Sequence, residues 1–220
     1  MAGAVEVGLE IGPKRKVFAQ AIGWPGWCRA ARDEERAMTA LAASTERYRA
    51  VVGGLVADLA DGVPWFEISE RVAGDVTTDF GAPGKVMGFD RTALDTRQPE
   101  RLVAFLDACW AAFDTQLAGV SPKTRGVKPE VGRSPEGMRA HIGGALRAYA
   151  AWLAKPVPKL DEARLDETEP EVRAFVRAGV LALPTDVAFP DEKHPGAYMV
   201  RRECWHVLDH AWELEDRLGA

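Results

Sequence analysis

Residues 196–218 read Gly-Ala-Tyr-Met-Val-Arg-Arg-Glu-Cys-Trp-His-Val-Leu-Asp-His-Ala-Trp-Glu-Leu-Glu-Asp-Arg-Leu. Val200, Cys204, Val207, Ala211, Leu214 and Leu218 recur at three- and four-residue spacing, which predicts one long helix with an apolar stripe. His206 and His210 border that stripe beside Met199, on the way to a charged side with Arg202, Glu213 and Arg217. Three earlier segments share the period. Over 99–118, Leu102, Phe105, Leu106, Cys109, Phe113 and Leu117 fall together; over 135–154, Met138, Ile142, Ala145, Tyr149 and Leu153 do; a further helix fits 169–183. Ser134-Pro135-Glu136 is a strong start, a capping hydroxyl followed by proline at the first helical position. Lys155-Pro156 is the matching stop, and 120–133, with two prolines, reads as a loop. Four helices of similar length joined by loops predict a four-helix bundle.

Upstream the period changes. Val5, Val7, Leu9 and Ile11 alternate with Glu6, Gly8 and Glu10, the pattern of a half-buried strand. Gly12-Pro13-Lys14-Arg15-Lys16 is a turn, and 17–22 is a second strand of the same hairpin. Gly23-Trp24-Pro25-Gly26-Trp27-Cys28 interrupts both. Asp33 suits the cap of a helix carrying Met38, Leu41, Ala42, Tyr48 and Val52 on one face, with Gly53-Gly54 as its stop or kink. Residues 65–72 alternate again. The stretch 74–90, rich in Gly, Thr and Asp, reads as a linker. The expected fold is α+β: a small β-β-α-β module over 1–80, then an all-α four-helix bundle over 90–220, as two compact units.

Composition narrows the function. The 220 residues carry a net charge of −5, with 47% hydrophobic and 28% charged residues, as in an ordinary globular protein. An acidic chain without a clustered basic face is not expected to bind nucleic acid. No apolar run is long enough to span a bilayer. Residues 1–10 contain Glu6 and Glu10 and no basic-then-apolar pattern, so no secretory signal is expected. Three widely spaced cysteines, Cys28, Cys109 and Cys204, argue against a disulfide framework and for a reducing cytoplasm. There is no phosphate-binding glycine loop, no dinucleotide fingerprint and no nucleophile elbow.

The chemistry rests on the histidines. His206 and His210, four apart on a helix, project from one face and can share a metal, although such a pair also arises on a solvated edge. His141 sits at the edge of the apolar face of the second bundle helix and would complete three imidazoles, the donor set of a catalytic rather than a structural site. His194, in Asp191-Glu192-Lys193-His194-Pro195, reads as an exposed loop residue. Asp209 and Glu213 are the nearest carboxylates in sequence, and of the two Asp209 is the one expected behind a ligating imidazole. Arg202, one turn before His206, is the expected anchor for an anionic substrate or a thiol's carboxylate. Cys109 and Cys204 fall on core positions, and Cys204 points away from His206, so neither is a ligand; Cys28 lies between turns, where it can be exposed.

With a histidine early in the second bundle helix (Arg139-Ala140-His141-Ile142) and His206-x-x-x-His210 in the last, residues 90–220 resemble the DinB/YfiT-like superfamily of four-helix metal proteins. That resemblance implies an up-down-down-up bundle holding zinc or nickel through His141, His206 and His210. Many relatives are transferases or isomerases that use mycothiol, bacillithiol or glutathione. It thus implies a divalent metal, a low-molecular-weight thiol such as mycothiol, and a small-molecule substrate. Residues 1–80 resemble a HicB-type antitoxin fold, in which a Pro-Gly segment follows the second strand and an acidic residue starts the helix, here Pro25-Gly26 and Asp33. The alternative function is a non-catalytic interaction protein pairing through this module; a homodimer is compatible with either reading.

Overall fold

The computed structural model describes residues 4–56, 62–120 and 133–218. Strands β1 (Val5–Ile11) and β2 (Val17–Ala21) form the expected hairpin, with Val7 opposite Ala21 and Leu9 opposite Ala19. A third strand, β3 (Cys28–Ala31), pairs antiparallel with β2. It was not expected, because four residues ending a Pro-Gly interruption carry no alternation of their own. Helices α1 (Glu34–Ala43) and α2 (Thr45–Val52) lead to β4 (Phe66–Ala73), which lies parallel to β1, so the sheet order is β3-β2-β1-β4. A parallel neighbour needs a crossover, and the two helices provide it.

The single helix expected after Asp33 is broken in two. Asp33 does cap α1, its carboxylate accepting from the Arg36 amide. At the break, the Ser44 hydroxyl donates to the Leu41 carbonyl and Thr45 Oγ1 donates to that of Ala42, bonds that compete with helical propagation. Ser44 also accepts from Trp27 Nε1 at 3.0 Å, and Tyr48 stacks on Trp27 and donates to the Pro25 carbonyl. The Trp24–Cys28 segment therefore clasps the helix pair. Its other side meets the bundle. A Cβ at Gly26, whose φ is +91°, would lie 2.9 Å from Leu208, 3.2 Å from Cys204 and 3.4 Å from Cys109.

The second face of the sheet departs most from the alternating pattern. Gly8 and Glu10 belong to the face expected to meet water, yet both are buried, Glu10 completely. The stretch 74–90 covers them. It holds α3 (Val76–Phe80) and a short 3-10 turn over Gly88–Arg91. A Cβ at Gly8 would lie 2.6 Å from the Met87 sulfur, so only glycine admits this cover unmoved. The Glu10 carboxylate accepts from Thr78 Oγ1 and from the backbone amides of Gly84 and Lys85, at 2.6–2.9 Å. Asp90, at the end of the cover, is buried against Arg201 with oxygens 2.9 and 2.6 Å from its Nε and Nη2. The stretch is thus a packed layer rather than a bare linker.

The C-terminal region is helical: α4 (Gln98–Gly119), α5 (Pro135–Ala150), α6 (Leu165–Leu181) and α7 (Gly196–Leu218). Around the bundle α4 adjoins α7, α7 adjoins α5, α5 adjoins α6, and α6 closes on α4. Helix α5 starts as expected, Ser134 Oγ accepting from the Gly137 amide. Helix α6 starts four residues earlier than the expected 169, so that Pro170 lies inside it. The expected loop at 120–133 lies outside the described residues apart from its two ends, as does the side chain of Leu218 in the α7 stripe. One apolar cluster joins sheet residues such as Leu9 and Ala19 to Leu41, Phe105, Ile142, Val176 and Val207. Cys28, Cys109 and Cys204 are all buried free thiols; the exposure open to Cys28 in the sequence is removed by Phe18 and Trp205, which pack against it. Among the described residues no helix is long and apolar enough to cross a membrane.

Two outcomes follow from this packing. Gly23 also has positive φ, +79°, but nothing lies within 4 Å of a Cβ there. Gly23→Ala should cost about 1 kcal/mol from backbone strain alone, and Gly26→Ala on the order of 3 kcal/mol because it also overpacks the core. Equal losses in denaturant unfolding would show that the clasp is not tight. Glu203 is buried in the bundle with Trp110 Nε1 donating to it at 3.0 Å, and burial pushes its carboxyl up from 4.5 to about 7. A raised carboxyl contributes stability that is complete below the ordinary value and lost as pH rises through the folded one. Glu203→Gln should therefore match the parent at pH 4 and exceed it at pH 8, by on the order of 3 kcal/mol. A variant no more stable than the parent at pH 8 would refute this.

Candidate metal centre

Helix α5 buries Met138, Ile142, Leu146 and Ala150, and this stripe holds the neighbouring His141 at its half-buried edge. Helix α7 buries Val200, Cys204, Val207, Ala211 and Leu214 and carries His206 and His210 on the side facing α5. The three imidazoles meet: one ligand nitrogen from each lies within 4.8 Å of the others. His141 Nε2 and His206 Nε2 are 3.0 Å apart.

Each ring has its own setting. His210 Nδ1 lies 2.9 Å from Glu213 Oε2, which assigns the proton to Nδ1 and leaves Nε2 as the donor atom. The other Glu213 oxygen pairs with Arg217, which also donates to the Arg133 carbonyl at 2.8 Å. His206 is 7% exposed, and burial, reinforced by the charges of His210, His141, Arg202 and Arg133, holds its pKa down to about 2. Burial also lowers His141, with Arg133 and His210 adding to the effect. Both rings are thereby kept neutral, the form that binds a metal.

The donor set fits a divalent ion. Two nitrogens about 2.1 Å from one ion, at angles of about 90–109°, stand about 3.0–3.4 Å apart. The Nε2 pair of His141 and His206 matches that separation. Three imidazole ligands leave coordination positions open, as catalytic zinc sites do.

Other sequence expectations fare differently. Asp209 does not hold an imidazole: its carboxylate is 3.0 Å from Arg29, which reaches it from β3. Glu213, the other carboxylate the sequence offered, takes that place, and its i, i+3 spacing from His210 is the signal that favours it. Arg202 lies on no charged surface: it is 9% exposed, donates to the Pro83 carbonyl at 2.9 Å, and lies over the rings of Trp205 and Tyr149. His194 is not an exposed loop residue. Its ring stacks on Trp152 at 4.2 Å and on Tyr198, in an aromatic cluster that Tyr149 extends to within 6.3 Å of His206. The chain matches no protein-family model, no curated protein and no solved structure.

Glu213→Ala should weaken metal binding by about 10–100-fold, because removing a carboxylate behind an imidazole frees its tautomer and orientation. Competition with a chromophoric chelator measures this. An unchanged affinity would mean that the Glu213 contact orients nothing.

Proposed function

We propose that the protein is a metal-dependent enzyme acting on a small molecule. The observation that carries this reading is the convergence of His141, His206 and His210 from two helices onto one point, on a scaffold that already has its own core. We read residues 90–220 as DinB-like, and the reaction as transfer or isomerisation dependent on a low-molecular-weight thiol such as mycothiol, in the cytoplasm. A zinc or nickel ion held by the three imidazoles would supply Lewis acidity, lowering the pKa of a thiol or a water at neutral pH. The chain's own groups do the rest. Glu213 fixes the His210 tautomer, burial keeps His206 neutral, and Trp205 and Tyr149 limit the access of water to the His206 side.

A second reading has one observation in its favour. β4 is an edge strand of the sheet; Trp65, just before it, and Phe80, in the helix beyond its other end, are 78% and 86% exposed. A HicB-like module pairing with another chain, or with a second copy, would use such a surface.

Elemental analysis of the purified protein, with the His141→Ala, His206→Ala and His210→Ala variants alongside, tests the first reading. About one ion per chain is expected in the parent and none in the variants. All four should keep cooperative thermal unfolding, because the bundle buries its apolar stripes without the ion, unlike small zinc domains that unfold when stripped. A chelator that unfolds the protein would make the site structural. A metal-free protein that purifies with a bound partner would favour the interaction reading.

A further inference from the structure

Among the described residues, Arg202 is a buried cation with no carboxylate within salt-bridge distance. Its hydrogen bonds go to neutral groups, the Pro83 carbonyl and the Tyr149 hydroxyl. Every other arginine of α7 is paired: Arg201 with Asp90, and Arg217 with Glu213. The contrast with Arg201 is direct, since both are nine-tenths buried on adjacent residues, and one has a carboxylate gripping two of its nitrogens. A desolvated charge held only by neutral groups is costly, and an arginine fork matches a carboxylate in particular.

The position of that charge matters. Arg202 precedes His206 by one helical turn, so both side chains leave the same face of α7. Tyr149 borders both groups, its ring 5.8 Å from the Arg202 guanidinium and 6.3 Å from the His206 ring. The Trp205 ring lies 4.9 Å from the guanidinium and 5.9 Å from the His206 ring. The two rings hold the fork in place, and the Pro83 carbonyl takes one corner of it.

We propose that Arg202 is the seat for a ligand carboxylate beside the three-histidine centre, so that the molecule handled there is a small carboxylate whose remainder extends toward His206. This rests on the metal-centre reading for its function but not for its binding. The seat is made by Arg202, Pro83, Tyr149 and Trp205, none of which is a metal ligand. The carboxylate can belong to the substrate or to a thiol such as glutathione, and the two sources give different binding patterns.

The test uses the full chain, with and without added zinc, and follows binding by isothermal titration calorimetry at constant ionic strength. The probes are benzoate, its neutral isostere benzamide, and glutathione. Benzoate or glutathione should bind and benzamide should not. Arg202→Lys, which keeps the charge but loses the fork, should weaken binding at least tenfold while the melting temperature stays near the parent's. Binding of benzoate points to a substrate carboxylate, and binding of glutathione alone to a carboxylate of the thiol. Should the protein hold no zinc yet still bind benzoate through Arg202, the carboxylate seat stands and the enzyme reading falls. Should it hold zinc while neither anion binds more tightly than benzamide, or while Arg202→Lys binds them as well as the parent, the carboxylate seat is refuted and the metal centre survives.

Discussion

A carboxyl group near the end of a strand, closed off from water and with no ion-pair partner among the described residues, organises much of this molecule. Glu10 is satisfied by one hydroxyl and two backbone amides, all from the stretch that follows β4. A buried carboxyl group is tolerated only where hydrogen-bond partners surround it, so this stretch must lie over the sheet for Glu10 to be accommodated. Its carbonyls then point at α7. Pro83, Gly84 and Lys85 accept from Arg202, Tyr198 and Arg201 in turn. One strand residue thereby sets the layer against which the histidine-bearing helix is oriented.

The same helix divides its duties by face. Its apolar stripe meets α4 and the Trp24–Cys28 clasp, Glu203 turns toward Trp110, and the histidines face α5. Because the core positions already hold α5 and α7 together, the imidazoles are brought into range by packing rather than by an ion. Such preorganisation suits chemistry, since the site needs little rearrangement to take a metal. Burial has a second effect there: a desolvated His206 next to Arg202 and Arg133 resists protonation, and its lone pair stays available.

Most of the helical architecture was legible along the chain. The stripe of α7, the Ser134 cap of α5 and the β1–β2 hairpin are periodicities and end signals within about twenty residues, and they appear where the pattern placed them. The pairing of His206 with His210 is likewise a local fact, set by 3.6 residues per turn. What failed was local reading of segments whose conformation is decided by distant partners. β3 exists because β2 offers it a ladder, and the helix after Asp33 breaks because Ser44 is engaged by Trp27.

The site divides along the same line. Spacing nominated His206, His210 and Arg202, because helical geometry alone brings i and i+4 to one face, and His141 stood out as a histidine at the edge of another helix's apolar stripe. Such patterns could not say that His141 crosses 65 positions of sequence to stand 3.0 Å from His206. Nor could they say that Asp209 is taken by Arg29, 180 positions away, leaving Glu213 to hold His210. Alternation told which residues of β1 share a face but not what covers it, so Glu10 read as solvated. Periodicity is a property of the backbone and is written locally; burial, partner choice and the field at a titratable group depend on which segments pack together, and only the folded chain sets them.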